Sequence, residues 1–537
     1  MTTTTFDVRP NPPLAVGSWE AALDAGRPAR IPSLWPWLLV CALVALVIDL
    51  GHLHQEEQGD SILQVMLSLQ RWTVFAWGQD RYGELLPLLA RPFRNPFVNM
   101  LVQGWLGVFA GLAPFFLLSR YMLRDKIWAA PAALASASLL VCTPAWVRLD
   151  WFAAQPYGTS LTLAVGALLI LESTGGRQRR TGRLLVALLL MLLASWVNFS
   201  VWVLLIPLVL LRSLGGSERA GHLLERTPGA GDQASGLLWR WKDRTVIYSI
   251  GLLVLGAVWG RLILRFVKDM GGRTVTRLMP VRQWPGAWAK LAASIWNMAL
   301  LRPYFLRFAA VSAVGAILLL AVPALRKSWR QTLAVCVALG GAALVQFLLA
   351  GASVWAKMNV YFPRYAYPSL VLVSIALGTL AAAPLRALPN GFWRYSAPAG
   401  ALLLVTLAIY SYGIPSPATA RKDIDEKFGG ATPEILAAHA NLIVGTYWKV
   451  WPAVFHASLV LYEQGSHQRI YGLTDRGVGA QKRWSRIPLD KMRAAMFVGD
   501  EDRAGFWLTA YGLPLTVVEH RKGIEILAYR PAARAAQ

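Results

Sequence analysis

Residues 98–119 read VNMLVQGWLGVFAGLAPFFLLS, an unbroken run without a charged side chain. A helix needs about 20 mostly apolar residues to cross the hydrocarbon core of a bilayer. Runs of this kind recur along the chain, which predicts an α-helical polytopic membrane protein of about eleven spans. The predicted spans are 34–51, 98–119, 127–146, 158–172, 184–198, 199–211, 246–265, 306–325, 331–352, 367–385 and 396–413.

The overall composition indicates the same class of protein. Of the 537 residues, 55% are hydrophobic and 15% are charged, whereas a soluble globular chain carries about a quarter charged residues. The net charge of +24 is spread over the loops between apolar runs, so it favours membrane lipids as partners and argues against nucleic acid. The three cysteines lie inside apolar runs, so we expect no disulfide framework; they are Cys41, Cys142 and Cys336.

The stretch 184–211 determines the predicted topology. It is long for one untilted helix and short for two, and the polar residues Asn198 and Ser200 favour a break between two spans. Short cytoplasmic loops are enriched in Lys and Arg, and the break places the arginine-rich loops 173–183 and 212–245 on the same, cytoplasmic side. A single tilted helix is the alternative, and it would reverse every later segment.

With eleven spans the chain divides into three parts. These are a cytoplasmic N-terminal tail (1–33), a transmembrane domain (34–413) and a soluble C-terminal domain (414–537) that lies in the periplasm, as in a bacterial inner membrane. The sequence pattern of this last part predicts a small α/β fold. We expect a helix-rich segment at 436–465, strands at 469–472, 494–498, 515–518 and 524–529, a helix starting near Asp502, and a hairpin about 521–523.

Two long outer loops, 52–97 and 266–305, combine basic residues with apolar residues at helical spacing. Such helices lie in the membrane interface. Their basic groups suit lipid headgroups or a phosphorylated lipid. The apolar positions are Ile62, Val65, Met66 and Leu69 in the first loop and Trp288, Leu291, Ile295, Trp296 and Met298 in the second.

Acidic and polar segments of the outer loops are the candidate sites of chemistry, because ionisable groups beside a membrane are costly unless function needs them. The first loop begins with DLGHLHQEEQGD at 49–60, and its last residue, Asp60, opens the predicted interfacial helix, where an N-cap role would also explain it. The other segments are WGQDRYGELLPLL (77–89), RLDW (148–151) and NVYFPRYAYP (359–368).

An acidic first outer loop, the WGQDRYGELLPLL segment and an RYAYP segment that enters a late span resemble the GT-C superfamily of membrane glycosyltransferases. That superfamily includes the protein mannosyltransferases and the lipid A aminoarabinose transferase. The resemblance implies a polyprenyl-phosphate sugar as donor, an acid of the first outer loop as catalytic base, and basic residues of outer loops at the lipid phosphate. It leaves open whether a divalent metal takes part as a cofactor.

The chemistry of such a transfer suggests roles for individual residues. A carboxylate can deprotonate the acceptor hydroxyl, and arginine can stabilise the departing phosphate. We predict Asp60 as the base, with Glu57 as its rival and Asp150 as an accessory acid that orients the acceptor or binds a metal. Arg364 is the first candidate for the donor phosphate. The remaining candidates are Arg81, Arg273, Arg277 and Tyr365 at the phosphate, and Asp80, Tyr82 and Asn359 at the substrate.

Several polar residues of these loops also fit purely structural roles. Arg364 suits a side chain that snorkels to the headgroups. Asp49 ends the first span, where a structural role is expected, and His52 and His54 are expected at the surface.

The sequence therefore predicts a glycosyltransferase that moves a sugar from a polyprenyl-phosphate donor to an envelope lipid, glycan or protein on the periplasmic side. The alternatives are a transporter or lipid flippase and an O-antigen polymerase or ligase. Transporters often show inverted repeats and charges at mid-membrane, whereas the ionisable residues here gather at the outer interface.

Overall fold

The computed structural model describes residues 35–77, 83–123, 126–141, 156–172, 180–215, 244–266, 277–300, 303–387, 392–474, 483–499 and 512–529. By length and composition, four helical segments within them can cross a membrane: Pro96–Leu123, Thr332–Gly351, Pro363–Leu385 and Pro398–Ala437. Six shorter apolar helices are Trp35–Asp49, Tyr157–Glu172, Thr181–Val197, Val201–Arg212, Ile247–Ile263 and Ala309–Ala321. The chain is a helical membrane protein; the total of eleven spans stays a prediction.

Each predicted span coincides with a helix. In chain order the α-helices of the described residues are α1 (Trp35–Asp49), α2 (Gly59–Leu69), α3 (Leu85–Ala90), α4 (Pro96–Leu123), α5 (Lys126–Val141), α6 (Tyr157–Glu172), α7 (Arg180–Val197), α8 (Val201–Gly215), α9 (Arg244–Phe266), α10 (Trp284–Leu300), α11 (Pro303–Ala321), α12 (Pro323–Gly351), α13 (Val354–Met358), α14 (Tyr367–Ala382), α15 (Phe392–Tyr412), α16 (Pro417–Phe428), α17 (Thr432–Ala437) and α18 (Tyr447–Glu463). The helices predicted in the two long outer loops are α2 and α10.

Small residues let the helices of the bundle approach closely, as is usual where lipid removes the hydrophobic driving force between helices. A Cβ added to Gly158 of α6 would lie 2.7 Å from the Cα of Gly111 in α4. Likewise, a Cβ on Gly104 of α4 would lie 2.0 Å from a carboxylate oxygen of Asp49 at the end of α1. The two glycines therefore set the spacing of α1, α4 and α6.

The chain reverses between α7 and α8, as the polar residues at 198–200 predict. Asn198 Oδ1 accepts hydrogen bonds from the backbone N–H of Ser200 at 2.9 Å and from its hydroxyl at 2.7 Å, which closes a tight turn. The hydroxyl of Ser160, at the start of α6, donates to the Asn198 carbonyl at 3.2 Å, whereas Glu172, at the end of α6, pairs with Arg212 near the end of α8. Thus α7 runs antiparallel to α6 and α8 runs parallel to it.

The C-terminal region contains a mixed sheet of strands β1 (Leu442–Val444), β2 (Tyr471–Leu473), β3 (Arg493–Phe497), β4 (Leu515–Arg521) and β5 (Ile524–Tyr529), in the order β2-β1-β3-β5-β4. The first three strands pair in parallel, and β5 is antiparallel to both β3 and β4. The predicted hairpin is confirmed, with Gly523 at a positive φ of 77°. The expected helix near Asp502 lies outside the described residues.

One strand was missed by the sequence prediction. Residues 442–444 were included in a helix-rich segment, but they form β1, whose three side chains are all buried between β2 and β3. The helix begins only at Tyr447. These residues form a strand because they are buried between two other strands. Three residues show too little hydrophobic periodicity for the sequence to distinguish a strand from a helix.

The C-terminal sheet and its helices pack on the segment that follows α1. Ile62 and Met66 of α2 are buried in one core with Val450 and Trp451 of α18. At the rim of this contact, His52 Nδ1 lies 2.9 Å from Asp423 Oδ2 of α16. The apolar face of α2 is therefore covered by the C-terminal region, whereas its position in the membrane interface stays a prediction.

Candidate active site

Asp60 lies one residue inside α2, and its carboxylate does not cap the helix. The cap is Gln58, whose side chain accepts from the backbone of Ser61 while the Ser61 hydroxyl accepts from the backbone N–H of Gln58 at 3.2 Å. The N-cap explanation of Asp60 is therefore wrong, because a residue type uncommon at this position took the role. The first turn of a helix still favours a negative charge at Asp60.

The carboxylate of Asp60 faces the guanidinium of Arg364. Arg364 Nη1 lies 3.5 Å from Asp60 Oδ2, and the two side chains are only 14% and 10% exposed. Charges that are shielded from water in this way interact more strongly than a pair on an open surface. Two residues selected from sequence for complementary roles are thus brought together at one end of the bundle.

Arg364 is held by the short 3-10 turn Pro363–Ala366 that precedes α14. Its Nη2 donates to Asn359 Oδ1 at 3.4 Å, and its Nε and Nη2 donate to the Tyr365 hydroxyl at 3.3 and 3.2 Å. The Tyr365 carbonyl in turn accepts from Gln346 Nε2 of α12 at 2.9 Å. Three sequence candidates, Arg364, Tyr365 and Asn359, therefore form one hydrogen-bonded unit.

The backbone beside this unit is strained. Val360 and Tyr361 both have φ of 54°, a left-handed conformation that is unfavourable for a β-branched residue such as Val360. Tyr361 is fixed by a contact of its hydroxyl with Met279 Sδ at 3.9 Å, and Lys290 Nζ lies 5.9 Å from the centre of its ring. The cation of Lys290, which belongs to α10, thus lies beside the strained turn.

Tyr447 completes the surroundings of Asp60. Its hydroxyl donates a hydrogen bond of 2.8 Å to Asp60 Oδ1, although Tyr447 belongs to α18 of the C-terminal region. Sequence reasoning missed this residue. Its only local signal is its place at the start of a helix that follows a strand, and no feature of the sequence links it to Asp60.

Glu57, the rival base, faces a different group. It is buried, its Oε2 accepts from the Ser61 hydroxyl, and its Oε1 lies 3.4 Å from Nδ1 of His54. His54 is fully buried between Glu57 and Asp49, whose Oδ1 lies 3.7 Å from His54 Nε2. Burial alone would lower the pKa of His54, but the hydrogen bond to Glu57 and the two carboxylates raise it above its ordinary value.

This buried cluster corrects one expectation about the first loop. The expected surface position of His54 is wrong, because the bundle and the C-terminal region cover the loop that follows α1. His52 is about half exposed, as expected.

Glu84 is an acid that the sequence analysis did not select. It lies just before α3, its side chain is buried, and it lines a small cavity together with Gln64, Thr159 and Val197. Burial raises the pKa of Glu84 to about 8. A carboxyl group of this kind carries a proton at neutral pH and can therefore donate a hydrogen bond as well as accept one.

Of the remaining candidates, the structure describes one residue. Arg277 is exposed, and its carbonyl accepts from the Val354 N–H at 2.9 Å, next to α13. Five others lie outside the described residues: Asp80, Arg81, Tyr82, Asp150 and Arg273.

Within the described ranges, no group of three or more His, Cys, Asp or Glu side chains is arranged to hold a metal ion. Cys41 and Cys336 are free thiols, and Cys142 is outside these ranges.

No protein-family model matches the chain, and no curated protein sequence matches it. Among solved structures, the chain is similar to ArnT from Cupriavidus metallidurans bound to undecaprenyl phosphate, with a TM-score of 0.46, 15% identity, and coverage of 92% of this chain and 97% of that chain. The apo state of the same protein gives a TM-score of 0.45 at the same identity and coverage.

An oligosaccharyltransferase from Archaeoglobus fulgidus in the apo form is also similar, with a TM-score of 0.38, 13% identity, and coverage of 91% of this chain and 70% of that chain. Both proteins are members of the GT-C superfamily, which is the superfamily that the sequence motifs resemble. TM-scores below 0.5 transfer no residue role, so the roles proposed below depend on the residues of this chain.

Proposed function

We propose that the protein is a GT-C-type membrane glycosyltransferase that moves a sugar from a polyprenyl-phosphate donor to a hydroxyl-bearing acceptor at the outer face of the membrane. One observation carries this proposal: the Asp60 carboxylate and the Arg364 guanidinium face each other at 3.5 Å, largely shielded from water. They supply the two groups that the transfer needs, which are a base for the acceptor and a cation for the phosphate.

In the proposed step, the oxygen of the acceptor hydroxyl forms a bond to the anomeric carbon of the sugar. The bond between that carbon and the donor phosphate oxygen breaks, and its electron pair stays on the phosphate. The hydroxyl proton passes to the carboxylate of Asp60. The products are the glycosylated acceptor and polyprenyl phosphate, and Asp60 later returns its proton to solvent or phosphate.

Arg364 has the properties of a phosphate ligand. The donor is a phosphodiester with one negative charge, and loss of the sugar leaves a monoester whose charge is larger. A cation placed at that phosphate therefore interacts more strongly as the bond breaks, which lowers the barrier. The guanidinium fork is already oriented by Asn359 and Tyr365, so little side-chain entropy is lost on binding.

The turn that carries Arg364 also suits a lipid donor. Met358, Val360 and Phe362 are exposed apolar side chains within or beside the strained turn. A polyprenyl chain needs apolar surface beside the site that holds its phosphate. Lys290 and Arg277 are exposed basic residues near the same turn, which further favours an anionic ligand there.

The position of charge within the bundle favours an enzyme over the transporter alternative. Arg212 and Glu172 pair at one end of the helices, and Asp60 and Arg364 pair at the other. In the described part of the bundle these ion pairs lie at helix ends, whereas a transporter places its ionisable residues near the midplane.

The proposal includes the predicted arrangement of the chain. It has a tail (1–33), a transmembrane domain (34–413) and a soluble domain (414–537), with the tail in the cytoplasm and the soluble domain in the periplasm of a bacterial inner membrane. The acceptor is an envelope lipid, glycan or protein whose hydroxyl reaches Asp60 below the soluble domain.

A deletion strain tests this function. We expect mass spectrometry of its lipid extract to find an accumulated polyprenyl-phosphate sugar, and its envelope to contain a glycan that lacks one sugar. The purified full-length protein in detergent should then transfer the sugar from that extracted lipid to the envelope fraction of the deletion strain. A strain that accumulates no such lipid, with no transfer by the purified protein, would contradict the proposal.

A further inference from the structure

The two oxygens of the Asp60 carboxylate have different partners. Oδ2 faces Arg364 at 3.5 Å, and Oδ1 accepts the hydroxyl of Tyr447 at 2.8 Å. Tyr447 is 2% exposed, so the donor of this hydrogen bond is shielded from water. A single carboxylate is thus held from one side by the membrane bundle and from the other by the soluble region.

The soluble region presents Tyr447 in a defined way. Tyr447 is the first residue of α18 and follows β1 through the residues 445–446. It therefore lies at the carboxyl end of a parallel strand, the edge where α/β sheets usually place functional side chains. Its ring packs on Gly59, where an added Cβ would lie 3.1 Å from the ring, and meets the Trp448 ring edge-on at 5.2 Å.

We infer that Tyr447 is a positioning residue for the catalytic base, supplied by the soluble region to the membrane site. Tyr447 keeps the Asp60 carboxylate in place after the donor phosphate has drawn Arg364 away from it. This inference rests on the proposed function, because it assigns Tyr447 a role in the same transfer.

Two anions compete for the guanidinium of Arg364. The Asp60 carboxylate already faces it at 3.5 Å, and a donor phosphate held by both arms of the fork would bind it more strongly than a carboxylate at that distance. When Arg364 turns to the phosphate, Oδ2 of Asp60 loses its partner and becomes free to accept the proton of the acceptor hydroxyl. Oδ1 stays bound to Tyr447, and this contact preserves the geometry on which the rate depends.

Donor binding therefore prepares the site for the acceptor. Before the donor arrives, the base is occupied by its ion pair with Arg364. Once the phosphate is bound, the base is released in the same event. The soluble region is then part of the active site and not only a cover for α2.

The first test is Tyr447→Phe, which keeps the ring contacts with Gly59 and Trp448 and removes only the hydroxyl. A hydrogen bond to a charged group contributes about 10- to 100-fold to an equilibrium or a rate. We expect kcat for transfer from the accumulated donor lipid to fall by about that factor, with KM for the donor little changed. The lost bond orients the base and does not contact the donor, so the effect should be on kcat alone.

Tyr462→Phe is the matched control, because Tyr462 is a half-exposed tyrosine at the other end of α18. It should leave kcat and KM at wild-type values. A second variant, Gly59→Ala, pushes the Tyr447 ring without removing its hydroxyl. We expect it to lower kcat and to leave KM for the donor little changed.

The outcomes separate this inference from the proposed function. Wild-type kcat in Tyr447→Phe, with Asp60→Asn inactive, would overturn the role of Tyr447 and leave the transferase standing. Wild-type activity in both variants would overturn the proposed base as well. If Tyr447→Phe does not fold, Gly59→Ala decides, since a folded Gly59→Ala protein with wild-type kcat overturns the inference.

Discussion

Nη1 of Arg364 lies 3.5 Å from Oδ2 of Asp60, so an ion pair joins the start of α2 to the turn before α14. Both side chains are mostly buried, and removal of one partner leaves the other charge poorly solvated. A substitution at either residue therefore changes stability as well as chemistry. Each variant of this pair needs a thermal unfolding measurement beside its assay.

Replacement of Arg364 tests the phosphate site. We expect Arg364→Ala to weaken the binding of undecaprenyl phosphate by at least about tenfold, and Arg364→Lys to weaken it less, because lysine keeps the charge and loses the bidentate fork. Isothermal titration of the detergent-solubilised protein measures both affinities.

Arg282→Ala is the control for this series, since Arg282 is an exposed arginine on the neighbouring outer loop. It should bind undecaprenyl phosphate like the wild type. Equal affinities for wild type, Arg364→Lys and Arg364→Ala would instead assign Arg364 to the headgroup region, where it snorkels.

Glu84 makes stability depend on pH. Burial raises its pKa from 4.5 to about 8 in the folded protein, so the folded state keeps its proton to higher pH than the unfolded chain. The contribution of Glu84 to the free energy of unfolding is therefore fully present below pH 4.5. It is lost as pH rises, and it is gone above about pH 8. We expect the midpoint of thermal unfolding to fall between pH 4.5 and about pH 8 in the wild type and to fall less in Glu84→Gln, which cannot ionise.

Glu426→Gln serves as the control for Glu84, because Glu426 is 62% exposed on α16. Its pH dependence of unfolding should match that of the wild type. An identical pH dependence in Glu84→Gln and in the wild type would mean that Glu84 is ionised at neutral pH in the folded protein.

The reversal at Asn198 predicts the side of the membrane from which residues 213–239 and 430–530 are accessible. In a cysteine-free background, single cysteines in 213–239 should react with a membrane-impermeant maleimide only after the cells are opened. Cysteines at exposed positions in 430–530 should react in cells whose outer membrane alone has been permeabilised. Labelling of both segments from the same side would contradict an odd number of spans and the periplasmic position of the soluble domain.

Much of the fold follows from local sequence. Apolar runs such as 98–119 predict their helices because a bilayer demands long uncharged segments, and the polar pair Asn198 and Ser200 predicts the reversal because their side chains satisfy a turn. The strand at 442–444 could not be predicted, since its identity depends on pairing with residues 471–473 and 494–496 far along the chain.

The sequence likewise predicts some residues of the candidate site and not others. Asp60 and Arg364 stand beside apolar runs in outer loops, so membrane chemistry alone makes them candidates. Tyr447 reaches Asp60 only because α18 packs on α2, and no local pattern encodes that contact. The burial of His54 has the same origin, since a polar loop residue is expected at the surface until another part of the chain covers it.

Substitution of each candidate acid by its amide distinguishes which carboxylate is the base. Glu57→Gln should keep most of the transfer activity, because Glu57 is paired with His54 and Ser61 and does not face Arg364. Asp150→Asn should give a partial or metal-dependent loss if that acid orients the acceptor or binds a metal. Loss of all activity in Glu57→Gln, with an active Asp60→Asn, would move the base to Glu57.

The most direct measurement is the transfer rate of purified Asp60→Asn with the donor lipid from the deletion strain. The amide is nearly isosteric and still accepts the Tyr447 hydroxyl, so expression and undecaprenyl phosphate binding should persist. Transfer should fall by about 10²- to 10⁴-fold, the usual contribution of a positioned base. A folded Asp60→Asn protein that transfers sugar at the wild-type rate would contradict the assignment of Asp60 as the base of a glycosyltransferase.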